Sequence, residues 1–366
     1  MSDESMRPDA DDRLPGRSIG RRRLLTGAMW AGAAGVLHAC STQAASIRSS
    51  TTTLPNPDRT TSPDAQPGVS TVANPGQQPE SVDASDGPTT IDDSATVTEP
   101  ADRVDPPPPP AGYDREALYV ALYGFPGARV LGVLGEQDAD AAVGRAREVA
   151  RPYEQFGRQV VPTFEILASV ASFEAGADGD FSNEYSLSRF QAHLDAAAAA
   201  GFHVVFDLQT GRARFPDQAR EYEALWRFPH TSIALDPEWR VGPTERPGGG
   251  FIGSVDAAEV NETIDYIDAL IRQHQLPPKM CIVHQFTSSM ITNKEQIRGT
   301  EHVQVVIQMD GFGTLELKRG SWARTVADLP AGAFTGWKNF YDEDQPTPSP
   351  AETMANEPTP HFVSYQ

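Results

Sequence analysis

The chain has 366 residues, a formal charge of −20 and hydrophobic residues at 39% of its positions. No basic patch accompanies that charge, so nucleic acid is excluded as a partner, and an acidic surface gives no general attraction to anionic lipid. Two cysteines, Cys40 and Cys281, are too few for a disulfide scaffold.

The N-terminal 39 residues read as an export signal. Gly20-Arg21-Arg22-Arg23-Leu24-Leu25 is a twin-arginine start, and a small-residue apolar stretch follows from Leu24 to Leu37. That stretch is shorter than the roughly 20 apolar residues a membrane span needs. It has instead the basic flank, apolar core and small residue before the cut of a secretory signal. Leu37-His38-Ala39-Cys40 has the Leu-x-x-Cys form of a lipobox. The segment thus resembles the signals of bacterial lipoproteins. That resemblance implies a lipid on Cys40, a mature chain that begins there, anchorage on the extracytoplasmic face of the cell membrane, and export of an already folded domain. Cys281, in the apolar run 280–283, is then left as a buried, inert thiol.

Residues 40–112 are rich in Ser, Thr, Pro, Asp and Gly and nearly free of large apolar side chains. Such a segment cannot bury enough apolar surface to offset its ordering entropy, so we expect a disordered tether. It closes on five prolines, Pro106 to Pro110, which favour a stiff polyproline form. A coil of roughly 70 residues spans about 45 Å on average, enough to hold a domain off a membrane. The signal holds six arginines against five acids and the tether three against ten, which leaves the remaining domain near −14.

Residues 113–366 suffice for one large domain. Apolar runs alternate there with helical patterns. The run 117–124 is followed by helical spacing over 139–156, and 159–168 by a helix over 187–200. The run 203–209 precedes a helix over 216–228, and 232–239 one over 256–274. The run 280–286 precedes a short helix near 293–298, and 303–310 a helix over 321–329. The run 334–340 precedes 351–356, and 361–366 ends the chain. Strands alternating with helices indicate parallel βαβ units, and eight units predict an α/β fold of the (β/α)8 TIM-barrel type. An open doubly wound sheet would carry a Gly-rich phosphate turn after its first strand. Gly124-Phe125-Pro126-Gly127 stands there instead.

Barrel sites lie at the C-terminal ends of the strands. Those ends carry Glu165, then Asp207 and Gln209, then Asp236 and Glu238, then His284 and Gln285, then Gln308 and Asp310, and finally Lys338 and Asn339 with Tyr341 just beyond. Side chains alternate along a strand, which predicts that Thr163, Glu165, Val205, Asp207, Gln209, Ala234, Asp236 and Glu238 face the axis. Four carboxylates crowded at one mouth should raise at least one pKa, and a neutral acid beside an ionised carboxylate is what glycoside cleavage requires. Structural alternatives stand beside this: a turn at Asp310, an ion pair at Lys338, a core histidine at His284. Tyr123, Trp239, Trp337 and Tyr341 are placed to stack on a sugar ring or to pack the rim. The glycine-rich loop 241–253 can serve as a lid or as a plain turn.

Asp236-Pro237-Glu238 resembles the Asp-x-Glu strand-end motif of chitinase-type and some muramidase-type glycosidase barrels. The resemblance implies Glu238 as general acid with Asp236 as its helper. The tracts Leu235-Asp236-Pro237-Glu238-Trp239, Val283-His284-Gln285-Phe286 and Trp337-Lys338-Asn339-Phe340-Tyr341 resemble those of a family of actinobacterial twin-arginine lipoproteins with a glycoside-hydrolase-like barrel. We therefore expect a surface lipoprotein acting on a cell-wall or extracellular polysaccharide. Glu238, Asp236, Asp207 and Glu165 are its catalytic candidates. Tyr123, Trp239, His284, Gln285, Asp310, Lys338 and Tyr341 are its substrate-binding candidates. A non-catalytic glycan-binding lipoprotein on the same scaffold is the alternative. A divalent-metal hydrolase using Asp207, Asp236, Glu238, His284 and Asp310 is a third class, without a paired-histidine signature to support it. We expect no cofactor, no metal and a monomer.

Overall fold

The computed structural model describes residues 112–366, apart from 249. The export signal, Cys40 and all but the last residue of the tether lie outside the described residues. Short runs of β-branched and large apolar side chains form eight parallel strands that close on themselves. They are β1 (Leu118–Gly124), β2 (Val160–Leu167), β3 (His203–Leu208), β4 (Thr231–Leu235), β5 (Lys279–Gln285), β6 (Val303–Met309), β7 (Phe334–Asn339) and β8 (Phe362–Tyr365). Each pairs with the next in chain order, and β8 closes the ring on β1 with Tyr119 opposite Phe362. The fold is the predicted α/β TIM barrel.

The strands alternate as a pleated ribbon must. Ala117, Tyr119, Ala121, Val161, Val205, Ala234, Met280, Ile282, Val306 and Phe362 pack together inside the barrel. The intervening side chains, among them Leu122, Phe164, Phe206, Ile233 and Val283, join a larger cluster between strands and helices. The period-two assignment of β2 and β3 thus holds, and it sends Glu165 and Asp207 to the axis.

Helices α1 (Ala139–Ala150), α2 (Gln191–Ala200), α3 (Phe215–Glu221), α4 (Glu223–Trp226), α5 (Ala257–His274), α6 (Leu315–Ala327) and α7 (Pro350–Met354) lie between the strands. The helix expected over 139–156 changes to a 3-10 turn at Arg151, because Pro152 has no N–H for the α-helical ladder. The helix expected near 293–298 is a 3-10 turn of three residues, Lys294–Gln296. It follows Asn293, which sits in the left-handed region at φ 56°. Helix α6 begins six residues before its expected start, where Thr314 accepts from the Leu317 N–H as N-cap. Among the described residues no helix is long and apolar enough to cross a membrane.

Helix α5 is anchored by Asp256. Its carboxylate accepts from the Ala258 N–H at 2.9 Å, and from Thr292 and Asn293 side chains at 2.7 Å each. Removing an N-cap costs about 1 kcal/mol. Asp256→Ala should cost at least that in urea-induced unfolding, because it also releases the 291–293 segment.

One departure bears on the site. The strand expected over 232–239 ends at Leu235, and Pro237–Trp239 is a 3-10 turn. Pro237 cannot donate to a sheet ladder. The Asp236 N–H still reaches the Leu208 carbonyl at 3.1 Å, so Asp236 keeps its strand-end place. Glu238 does not lie on the strand, and period-two geometry no longer sets its direction.

Candidate functional site at the barrel mouth

At the mouth the strand ends converge on His284, at the end of β5. Its Nε2 lies 3.0 Å from Glu165 Oε1 and its Nδ1 3.1 Å from Asp310 Oδ2. All three side chains are buried. An imidazole that bonds a carboxylate through each nitrogen must donate from both, which makes it an imidazolium. Burial, the largest single influence, pushes the His284 pKa down. The Asp207 charge and the hydrogen bonds to Asp310 and Glu165 more than reverse this and raise it to about 10. For Glu165 burial again opposes ionisation most, yet the bond and charge of His284, with Lys338 behind, hold its carboxyl below the usual range.

Asp207, at the end of β3, behaves oppositely. Its Oδ2 accepts the Tyr123 hydroxyl at 2.9 Å. Its Oδ1 has no hydrogen-bond partner among the described residues. Burial is the main cause that raises its pKa, to about 7. Asp236 and Glu165 add to the rise, against the opposing charges of His284 and Lys338. The Gln209 amide Nε2 spans Asp236 Oδ2 at 3.4 Å and the Tyr123 hydroxyl at 3.5 Å. Lys338, from β7, is also buried, with its ammonium 3.1 Å from the centre of the Tyr123 ring. The mouth thus holds two cations, His284 and Lys338, among Glu165, Asp207, Asp236 and Asp310.

Asp207, Asp236 and His284 each offer a ligand-type atom within 4.8 Å of the others, close enough to surround a cation. The donor chemistry does not fit one, because both His284 nitrogens carry protons toward carboxylates. The imidazolium is paired with Glu165 and Asp310 instead.

Tyr123, Glu165, Asp207, Asp236, His284, Asp310 and Lys338 are therefore brought together, as the strand-end argument expects. Gln285 is not among them. Its parity along β5 is opposite to that of His284, so it points away from the axis and accepts from the buried Lys294 ammonium at 3.0 Å. Tyr341 lies on the outer rim. It is 40% exposed, stacked on Tyr365 at 5.5 Å and covered by the Arg145 guanidinium. Trp337 likewise faces outward, against Met309 and Trp322. Trp239 is buried against Ala171, and Glu238, on the same turn, is 5% exposed.

Two features escape sequence reasoning. A two-stranded antiparallel ribbon, Ser169–Ala171 with Ser182–Glu184, follows β2. It is tied to the mouth where Ser169 accepts from the Gln209 N–H and the Ser182 hydroxyl donates to the Gln209 carbonyl. Strands of three residues leave no periodic signal. The second feature is Lys318 on α6, which is buried. Its ammonium bonds Asp344 at 2.9 Å and the Gly311 and Lys338 carbonyls, fixing the end of β7.

No protein-family model matches the chain, and no curated protein matches it. A barrel alone does not indicate an activity, so function must be argued from the chemistry of the mouth.

Proposed function

We propose that the domain hydrolyses glycosidic bonds in a cell-wall or extracellular polysaccharide, with Asp207 as proton donor and Asp236 as the carboxylate beside it. The supporting observation is Asp207 itself: a carboxyl raised to about 7, with one oxygen fixed by Tyr123 and the other without a partner among the described residues. A general acid is most effective when its pKa lies near the working pH. The proton on Oδ1 would pass to the glycosidic oxygen as the bond from that oxygen to the anomeric carbon breaks. Asp236 would meet the developing positive charge at that carbon, where a water then adds and gives its proton back to the ionised Asp207. The catalytic side chains are buried, so substrate reaches Asp207 only if the residues covering the mouth move.

That burial favours a second reading on the same scaffold, a glycan-binding domain without catalysis, in which His284 and Lys338 simply neutralise the carboxylates. Incubation with a panel of wall and extracellular polysaccharides separates the two. Oligosaccharides detected by mass spectrometry support hydrolysis. Retention of a glycan with no product supports binding alone.

We further propose that the protein is a monomer held on the extracytoplasmic face by a lipid on Cys40. The Cys40→Ala protein should then appear in the soluble fraction or as an uncleaved precursor. Normal processing with unchanged membrane retention would rule Cys40 out as the anchor.

A further inference from the structure

Three segments meet next to Gln209, whose carbonyl accepts from the Ser182 hydroxyl. The Gly211 carbonyl accepts from the Val241 N–H at 2.8 Å, and the Arg212 N–H donates to the Asp180 carbonyl at 2.6 Å. Gly211 permits this approach. Its φ is +60°, and a Cβ there would lie 2.2 Å from the Asp180 carbonyl oxygen. Phe181, next in the ribbon, is buried, and its φ of 66° is in the left-handed region that bulky residues avoid. Two guanidiniums gather over its ring, Arg212 at 4.2 Å and Arg246 at 5.6 Å from the centroid.

Two like charges gathered on one ring repel modestly at a solvated rim, and an oxyanion reaching both would relieve that. Among the described residues neither arginine forms an ion pair. The nearby acids are turned elsewhere. The Glu245 carbonyl accepts from Arg212 Nε, but its carboxylate accepts from the Gly242 N–H. Asp180 turns its carboxylate to the Ser182 N–H. Burial first, then Glu184 and Asp178, push the Asp180 pKa up to about 7, the reverse of what an adjacent guanidinium would do. Arg212 is half-buried and Arg246 exposed. Both planar forks are suited to an oxyanion.

We propose that Arg212 and Arg246 form an oxyanion subsite on the rim, so that the glycan taken at the mouth is one bearing carboxylate or phosphate groups. This rests on the reading of the mouth as a glycan site, and it names the class of glycan. The domain's net negative charge, with the Asp178, Asp180 and Glu184 carboxylates gathered on the same ribbon, opposes an anionic ligand, so its attraction must come from the two guanidiniums.

The test uses the full chain and titration calorimetry with three probes of equal length: a neutral oligosaccharide, an oligouronate and a phosphorylated oligosaccharide. We expect at least one charged probe to bind on the order of 10-fold tighter than the neutral one. We expect Arg212→Gln with Arg246→Gln to remove that margin, a loss of about 10-fold, the size of one charged hydrogen bond. Arg246→Gln alone, at an exposed position, should remove part of it without unfolding the domain. The stronger of the two charged probes tells carboxylate from phosphate. Equal binding of all three probes, or no binding, overturns the subsite. So does a double variant that melts earlier yet keeps its charge preference, since the arginines would then only brace Phe181. Charge-dependent binding with no cleavage of any polysaccharide ends the hydrolase reading and keeps the subsite. Cleavage of neutral glycans without charge preference does the reverse.

Discussion

His284→Ala should destabilise the domain by about 3–5 kcal/mol, the usual cost of stranding a buried charge by removing its partner. The histidine is fully buried between Glu165 and Asp310, and its loss leaves both carboxylates facing a cavity with no counter-charge between them. Urea-induced unfolding at neutral pH measures the change. The pH dependence identifies the cause. His284 is raised to about 10, so its folded pKa lies above its unfolded value of about 6.5. Its contribution is fully present below about 6.5 and is lost as pH rises through 10. Glu165 is lowered, so its share is present above its unfolded pKa and is lost as pH falls. These two shifts describe one interaction seen from its two ends and are not added. Asp207, raised to about 7, is an acid more easily kept protonated when folded, and its ionisation lowers stability between about pH 4 and 7. The His284→Ala protein should therefore lose the alkaline decline between about 6.5 and 10. A loss under 1 kcal/mol with that decline unchanged would show that the cluster is not held together by the imidazolium.

The barrel was legible because its strands are short, apolar and separated by polar helices, and because parity is strict within each strand. The alternation that puts Val205 in the barrel puts Asp207 at the mouth, and β2 delivers Glu165 in the same way. Parity also explains the failures. Gln285 follows His284 by one residue, and one residue is enough to turn it to the helix side. At β4 the pattern of small, apolar and acidic residues runs on through Glu238, but the backbone does not, because Pro237 ends the ladder. Tyr341 lies beyond β7, where no periodicity constrains it, and its ring goes to Tyr365. The ionisation pattern was the least legible part. A crowd of carboxylates predicts that some pKa must rise. The His284 imidazolium bonded to Glu165 holds that carboxyl down, and full burial with Asp236 and Glu165 nearby leaves Asp207 as the one that rises. Sequence alone pointed to Glu238. The arginine pair left no signal either, since Arg212 and Arg246 meet only through the fold of the ribbon around Phe181.

Asp207→Asn should reduce polysaccharide turnover by roughly 10²–10⁴-fold, the contribution of a positioned general acid. The amide oxygen can still accept from Tyr123, so the fold and glycan binding should survive. The side chain can no longer release a proton to a glycosidic oxygen. Glu238→Gln is the decisive comparison. If Asp207 is the acid, Glu238→Gln should lower turnover less than about 10-fold, the size of a positioning effect rather than of a lost acid. The reverse ranking would return the role to Glu238, despite its place on the 3-10 turn. Wild-type turnover should also carry the titration of Asp207. The acid must be protonated to act, so kcat/KM should fall as pH rises above about 7. That limb should be absent from whatever activity remains in Asp207→Asn. A normal limb in the asparagine variant would mean that the alkaline loss comes from another group. An asparagine variant with wild-type turnover would remove Asp207 from the mechanism, leaving its raised pKa as the cost of burying a carboxyl beside Asp236 and Glu165.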